Sequence, residues 1–196
     1  MLCTAALDLP LAGVETDAGF VRVNGQMRTS NPNIFAVGDI TGHLPLATLA
    51  IKQGKVAAEV VGGKTAVFAP QAIPRIAWTD PEVAAVGLTR AQAEQLGYEV
   101  VNGRFPLGAN GRAQTLNAAN GVVLTVAEAE TELLLGVTIV APHASDLIGE
   151  AALAIEMGAT LTDLAETLHP HPGLGEALLE SAEAALGRAV HILARS

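Results

Sequence analysis

Between Arg75 and Ala141 the chain sets strand-length apolar runs beside one another with only a turn between them. A connection that short can join only antiparallel strands, because a parallel pair needs a crossover of a dozen residues or more. Arg75 to Trp78 and Val83 to Leu88 flank the turn Thr79-Asp80-Pro81-Glu82, and Gly121 to Ala127 and Glu132 to Ala141 flank Glu128-Ala129-Glu130-Thr131. Tyr98 to Phe105 reads as a further strand. Helical patterns fall between and after these runs: Thr89 to Leu96, with Thr89 as N-cap and Gly97 as stop, and a short helix or loop at Gly108 to Leu116. Helices follow at Ser145 to Met157 and Thr162 to Leu168, with Ser145 and Thr162 as expected N-caps, and a last helix runs from about Gly175 to Leu186. The grammar is α+β: an antiparallel β-sheet covered by helices.

The first third of the chain reads differently. Residues 1–31 form an irregular lead-in with a short strand pair near Phe20 to Val23 and no obvious packed unit. Asn33 to Val37 is a short apolar strand that delivers Gly38-Asp39, and Leu46 to Val61 is a helix ended by Gly62-Gly63. A strand-Gly-Asp turn ahead of a helix suits ligand binding: the glycine permits close backbone approach, Asp39 can hold a ribose-type hydroxyl, and helix N-terminal amides face the same place. Ordinary turn chemistry explains the same residues. Pro70 and Pro74 mark a linker, so the expected division is 1–66 and 67–196.

Half of the residues are hydrophobic and 16% are charged, with a mean hydropathy of +0.39. No uninterrupted apolar run approaches the roughly 18 residues of a membrane span, so the surplus points to a buried subunit or domain interface. A net charge of −9 without a basic stripe argues against a nucleic-acid partner. The single cysteine, Cys3, cannot form an internal disulfide or a redox CxxC motif, and the opening lacks the basic region of a signal peptide. A cytoplasmic protein is expected. His43, His143 and His191 have no partners at metal-ligand spacing, and His169 and His171 lack a matching third ligand, so no metal site is expected. Trp78 is read as core or interface.

The chemistry concentrates in His169-Pro170-His171-Pro172-Gly173-Leu174-Gly175-Glu176. Pro172 biases His171 toward extended backbone, and the glycines allow a tight turn into the last helix. A carboxylate at Glu176 that accepts from one ring nitrogen of His171 would fix the tautomer and raise the basicity of the other, which is a general-base arrangement. On spacing alone, a proline-rich turn capped by a satisfied histidine is the simpler reading of the same residues.

Taken together, Thr29 to Asp39 (TSNPNIFAVGD), Pro45 to Thr48 (PLAT), Trp78 to Gly87 (WTDPEVAAVG), Phe105 to Arg112 (FPLGANGR), Leu135 to Ile139 (LGVTI), Glu150 to Gly158 (EAALAIEMG) and His169 to Glu176 resemble, in order and spacing, the C-terminal part of the flavin-dependent pyridine nucleotide–disulfide oxidoreductases. The likeness is closest to the lipoamide branch, the dihydrolipoamide dehydrogenases, and covers roughly residues 20 to 190. It implies a strand-helix remnant of an FAD-binding α/β domain followed by an interface, or dimerisation, domain. Gly38 and Asp39 would bind the ribityl–phosphate region of FAD, and Leu46, Ala47 and Thr48 would approach the isoalloxazine ring through backbone amides. His171 would be the acid/base residue and Glu176 its orienting partner, acting in the other subunit of a homodimer built through residues 67–196.

The same resemblance marks departures. Gly173 stands where the family often has threonine, which would loosen the turn. The family's glycine-rich FAD fingerprint, redox-active cysteine pair and nicotinamide-binding domain have no counterpart in this sequence. FAD and NAD therefore belong to the parent family, and none is expected to stay bound to this chain alone. The terminus carries no cysteine pair, against a mercuric-reductase tail. Two functional readings stay open. One is the C-terminal fragment of a dihydrolipoyl-oxidising flavoprotein, inactive alone, whose expected partners are a missing N-terminal half or a 2-oxoacid dehydrogenase complex. The other is a stand-alone dimerisation and assembly module, or one subunit of a split oxidoreductase.

Overall fold

The computed structural model describes residues 4–193. Cys3 and the residues after Leu193 lie outside them. The chain divides into two compact units, one ending at Pro70 and the other beginning at Gln71.

In the first unit, β1 (Thr16–Asp17) pairs antiparallel with β2 (Phe20–Val21) across a tight turn. The lead-in is better packed than its sequence suggests. Val14, Val21 and Ala36 are buried together, with Leu9, Ala12, Val23, Ile34 and Ile40 against them. The strand expected at Asn33 to Val37 is reduced to one backbone bridge, Arg28 with Phe35, because no neighbouring strand among the described residues runs beside it. A 3₁₀ turn at Gly38–Thr41 follows, then α1 (Ala47–Val61). Val56 and Val60 of α1 bury themselves on Met27, which matches the three-to-four-residue spacing of one helical face.

The second unit is one antiparallel sheet in the order β3 (Arg75–Ala77), β4 (Glu82–Gly87), β7 (Leu134–Ala141), β6 (Val122–Glu128), β5 (Val100–Pro106). Between and after the strands lie α2 (Arg90–Gln95), α3 (Gly111–Thr115), α4 (Ala144–Met157), α5 (Leu161–Glu166) and α6 (Glu176–Ala185). The period of two along each strand sorts its side chains between the faces. Ala84, Val86, Val123, Val137 and Ile139 meet Ile148 and Ala151 of α4, Leu161 and Leu164 of α5, and Ala177, Leu178 and Ala182 of α6 in the main core. On β6 the neighbouring position Val126 joins Leu135 and Ala93 of α2 in a smaller cluster. The architecture is α+β, an antiparallel sheet covered by helices.

Helix starts differ from expectation in two places. Thr89 does cap α2, with a reciprocal bond between its own N–H and Gln92. The cap of α5 is Thr160 rather than Thr162: Thr160 accepts from the Asp163 N–H while the Asp163 carboxylate accepts from the Thr160 N–H, a capping box. Thr162 instead donates its hydroxyl to Glu132. His143, not Ser145, precedes α4, at a φ of 57°, and the Ser145 N–H donates to the Glu82 carboxylate. A carboxylate brought from another strand does the work of a local cap there, which no local sequence pattern announces. Trp78 is 76% exposed, so the core alternative for it is excluded.

Candidate active site

The turn that leads into α6 is tied together by Glu176. Its Oε1 lies 2.8 Å from Nδ1 of His171, and its Oε2 accepts the Gly173 N–H at 2.7 Å. An ionised carboxylate only accepts, so Nδ1 carries the hydrogen and Nε2 of a neutral His171 keeps its lone pair free. The His171 side chain is 77% exposed and Glu176 is largely covered. Burial pushes the Glu176 carboxyl up, but the Gly173 N–H, the bond and charge of His171 and the charge of His169 outweigh it, so its pKa lies below 4.5. A lowered folded-state value means that the carboxylate's contribution to stability is complete above about pH 4.5 and is lost as the pH falls below it. The arrangement holds an exposed imidazole with one nitrogen fixed and the other open to accept a proton.

Gly173 does not slacken this turn. Its N–H is bound by Glu176, its carbonyl accepts from Asn110 Nδ2 at 2.9 Å, and a Cβ added there would lie 2.5 Å from the Pro170 carbonyl oxygen. The backbone closes more tightly than a side chain at this position permits, contrary to the loosening expected from the missing threonine. Asn110 is buried and also caps α3, accepting the Ala113 N–H at 2.9 Å. It was not singled out in the sequence, although an asparagine just ahead of a short helix is a recognisable cap signal.

The second group of candidates lies in the first unit. Gly38 has a φ of +80°, open chiefly to glycine, and its N–H donates to Gln53 Oε1 at 2.6 Å while its carbonyl accepts from Thr41 Oγ1 at 2.8 Å. Gln53 is fully buried, so α1 itself braces the Gly38-Asp39 turn. Asp39, Ala47 and Thr48 are exposed, and Gly38 and Leu46 are half-buried. No side chain caps α1 at Leu46 and no acidic residue lies in its first turn. The leading N–H groups of a helix have no acceptor within it, and they carry the positive end of the macrodipole. The Leu46 N–H already donates to the Leu44 carbonyl at 2.8 Å, so the donors left open are those of Ala47 and Thr48, which fit a carbonyl- or phosphate-bearing group such as a flavin nucleotide.

His43, His143 and His191 each meet a polar neighbour away from this turn. His43 Nδ1 meets Thr41 Oγ1 at 3.0 Å, and His143 lies 3.7 Å from Asp146. No group of three or more metal-binding side chains comes together among the described residues. His191 pairs through Nδ1 with Glu180, which is only 6% exposed. The hydrogen bond and charge of Glu180 raise the His191 pKa above 6.5 against the opposing effect of desolvation. A raised folded-state value means that this tether contributes fully below about pH 6.5 and is lost as the pH rises through the folded value. Thermal melts of the wild-type chain and His191→Ala are therefore expected to differ in mild acid and to converge in alkali. A separation that stays the same at every pH would show that the pair contributes nothing through its charge.

Residues 73–182 match the family model described as the pyridine nucleotide-disulphide oxidoreductase dimerisation domain, and residues 5–54 match the pyridine nucleotide-disulphide oxidoreductase model. The chain belongs to the pyridine nucleotide-disulphide oxidoreductase family. A dihydrolipoyl dehydrogenase of Thermus scotoductus is 51% identical over 193 residues, covering 98% of this chain and 42% of that protein. The Bacillus subtilis dihydrolipoyl dehydrogenase is 44% identical over 97% of this chain and 41% of its own length. The chain thus spans about two fifths of these relatives. Among solved structures, LpdA from Mycobacterium tuberculosis superposes with a TM-score of 0.85 at 31% identity, over 92% of this chain and 40% of that one. The flavoprotein disulfide reductase RclA from Escherichia coli, at 23% identity and a TM-score of 0.86 over 93% of this chain and 43% of that one, shares the fold. Among the described residues no helix is long and apolar enough to cross a membrane.

Proposed function

We propose that this chain supplies the dimer interface and the acid/base pair of a cytoplasmic dihydrolipoyl dehydrogenase. The reaction oxidises a dihydrolipoyl dithiol to its disulfide; two electrons pass to NAD⁺, which becomes NADH, and one proton is released. The observation that carries the reading is the 2.8 Å bond from His171 Nδ1 to Glu176, which leaves Nε2 of an exposed ring free to take a thiol proton. The thiolate so formed is the species that reacts with a disulfide. Glu176 holds the tautomer beforehand and stabilises the imidazolium afterwards.

In this reading residues 1–66 are part of an FAD-binding domain and 67–196 are the interface domain of a homodimer. Gly38 and Asp39 hold the ribityl–phosphate region, and Leu46, Ala47 and Thr48 lie beside the ring system, with the amides of Ala47 and Thr48 as the donors still open to it. FAD, when bound, supplies the two-electron relay between the dithiol and NAD⁺. The chain by itself holds neither cofactor firmly and is inactive. The dithiol is carried on free lipoamide or on a 2-oxoacid dehydrogenase complex. Dimerisation draws support from large apolar side chains left uncovered, among them Trp78, Leu153, Met157 and Leu168.

Mixing the purified chain with a polypeptide covering the remaining part of a dihydrolipoyl dehydrogenase tests the proposal. Size-exclusion chromatography read between 350 and 500 nm, with dihydrolipoamide-dependent NAD⁺ reduction, gives the outcome. Flavin colour and activity that appear only in the mixture support it. A colourless dimer with no gain of activity would instead make the chain a bare assembly module.

A further inference from the structure

An exposed imidazole receives no orientation from packing, so the direction of His171 depends on its Nδ1 bond and on the backbone that carries it. That backbone, Thr167 to Gly175, has no helix or strand of its own. Its least exposed polar side chain is His169, whose ring is 7% exposed. His169 Nδ1 lies 2.9 Å from the Thr167 carbonyl oxygen, which can only accept, so Nδ1 carries a hydrogen. Nε2 lies 2.9 Å from Glu150 Oε1, so ring and carboxyl share one further proton. Glu150 stands on α4 between Ile148 and Ala151, both buried in the main core. A Cβ on Gly175 would lie 3.3 Å from His169 Cδ2, so the ring also sits directly under the residue that precedes Glu176.

We propose that His169, clamped between Glu150 and the Thr167 carbonyl, is a positioning residue that holds the His171 backbone where Glu176 can reach the ring. The clamp works with Asn110, which grips the Gly173 carbonyl from the other side. The turn is thus tied to α4 at one end and to the cap of α3 at the other, and a segment, Thr167 to Gly175, that would otherwise sample many conformations is held in one. The inference rests on the acid/base reading of His171 and deepens it.

The readout is the tautomer of neutral His171, seen in ¹H–¹⁵N long-range spectra of the ¹⁵N-labelled chain above the pH at which the ring titrates. The wild-type ring is expected to be in the Nδ1–H form. His169→Phe keeps a ring under Gly175 but removes both hydrogen bonds, and is expected to abolish the preference for Nδ1–H. Glu150→Leu should do the same from the other side, which covers the case in which His169→Phe fails to fold. Glu150→Gln, whose side-chain amide N–H can donate to the lone pair on Nε2, should retain it. A merely structural histidine would lower the melting temperature without changing the tautomer of His171. If the Nδ1–H form survives both His169→Phe and Glu150→Leu, the clamp is overturned while the His171–Glu176 pair stands. If the wild-type ring is already Nε2–H, the acid/base reading itself fails, and the clamp with it.

Discussion

Replacing His171 with glutamine is expected to lower dihydrolipoamide-dependent NAD⁺ reduction by about 10²–10⁴-fold in the assembly reconstituted with the remaining part of the enzyme. That is the range over which a positioned general base acts, about 3–5 kcal/mol of barrier. The ring is 77% exposed and packs against little, so the thermal stability of the chain should hardly change. Loss of activity without loss of stability separates a chemical role from a structural one. Glu176→Gln should cost less, because an amide oxygen can still accept from either Nδ1 or the Gly173 N–H, but the imidazolium loses its countercharge. The outcome that would sink the assignment is a His171→Gln assembly with wild-type turnover at every pH tested.

The second large effect is on folding. Gly103 lies in β5 directly beneath α6, and a Cβ there would collide with the Ser181 carbonyl oxygen and the Thr125 hydroxyl. Neither neighbour can swing away. The Ser181 carbonyl belongs to the middle of α6, and Thr125 Oγ1 is committed to that same carbonyl at 3.2 Å. Gly103→Ala must therefore lift α6 from the sheet, at an expected cost of about 1–3 kcal/mol, the usual range for forcing atoms into a packed core. Gly149→Ala is the matching control. Gly149 is an exposed glycine inside α4 with nothing within 4 Å of an added Cβ, so the same methyl should stabilise by about 0.5–1 kcal/mol. Urea melts of the two variants should move in opposite directions. A Gly103→Ala midpoint at or above wild type would show that the β5–α6 contact yields more readily than its geometry implies. Because α6 begins at Glu176, this contact also carries one half of the candidate acid/base pair.

Much of this was legible because it is local. The hairpin spacing around Thr79 to Glu82 and Glu128 to Thr131 dictates antiparallel pairing whatever the rest of the chain does. The five-residue gap between His171 and Glu176, closed by proline and glycine, brings a ring and a carboxylate together across a single turn. The clamps on that turn were not legible. Asn110 acts on Gly173 and Glu150 acts on His169 across distances in sequence at which no pattern is visible, and only the packing of α3 and α4 brings them there. The same reason explains the start of α4, where the Ser145 N–H finds its acceptor on Glu82, a residue of β4, whereas the Thr160 cap of α5 is a local capping box that the sequence did carry.

From the residues alone, the α+β class and the hairpin pairing of the second unit follow from strand period and turn chemistry, and the His171–Glu176 spacing permits a pair without requiring one. Only the tertiary structure decided that Gly173 tightens rather than loosens the turn, that His169 is buried on α4 and that Gly103 admits no side chain. Those facts depend on which backbone passes close to which, and close approach between distant segments is a property of packing rather than of any local run of residues.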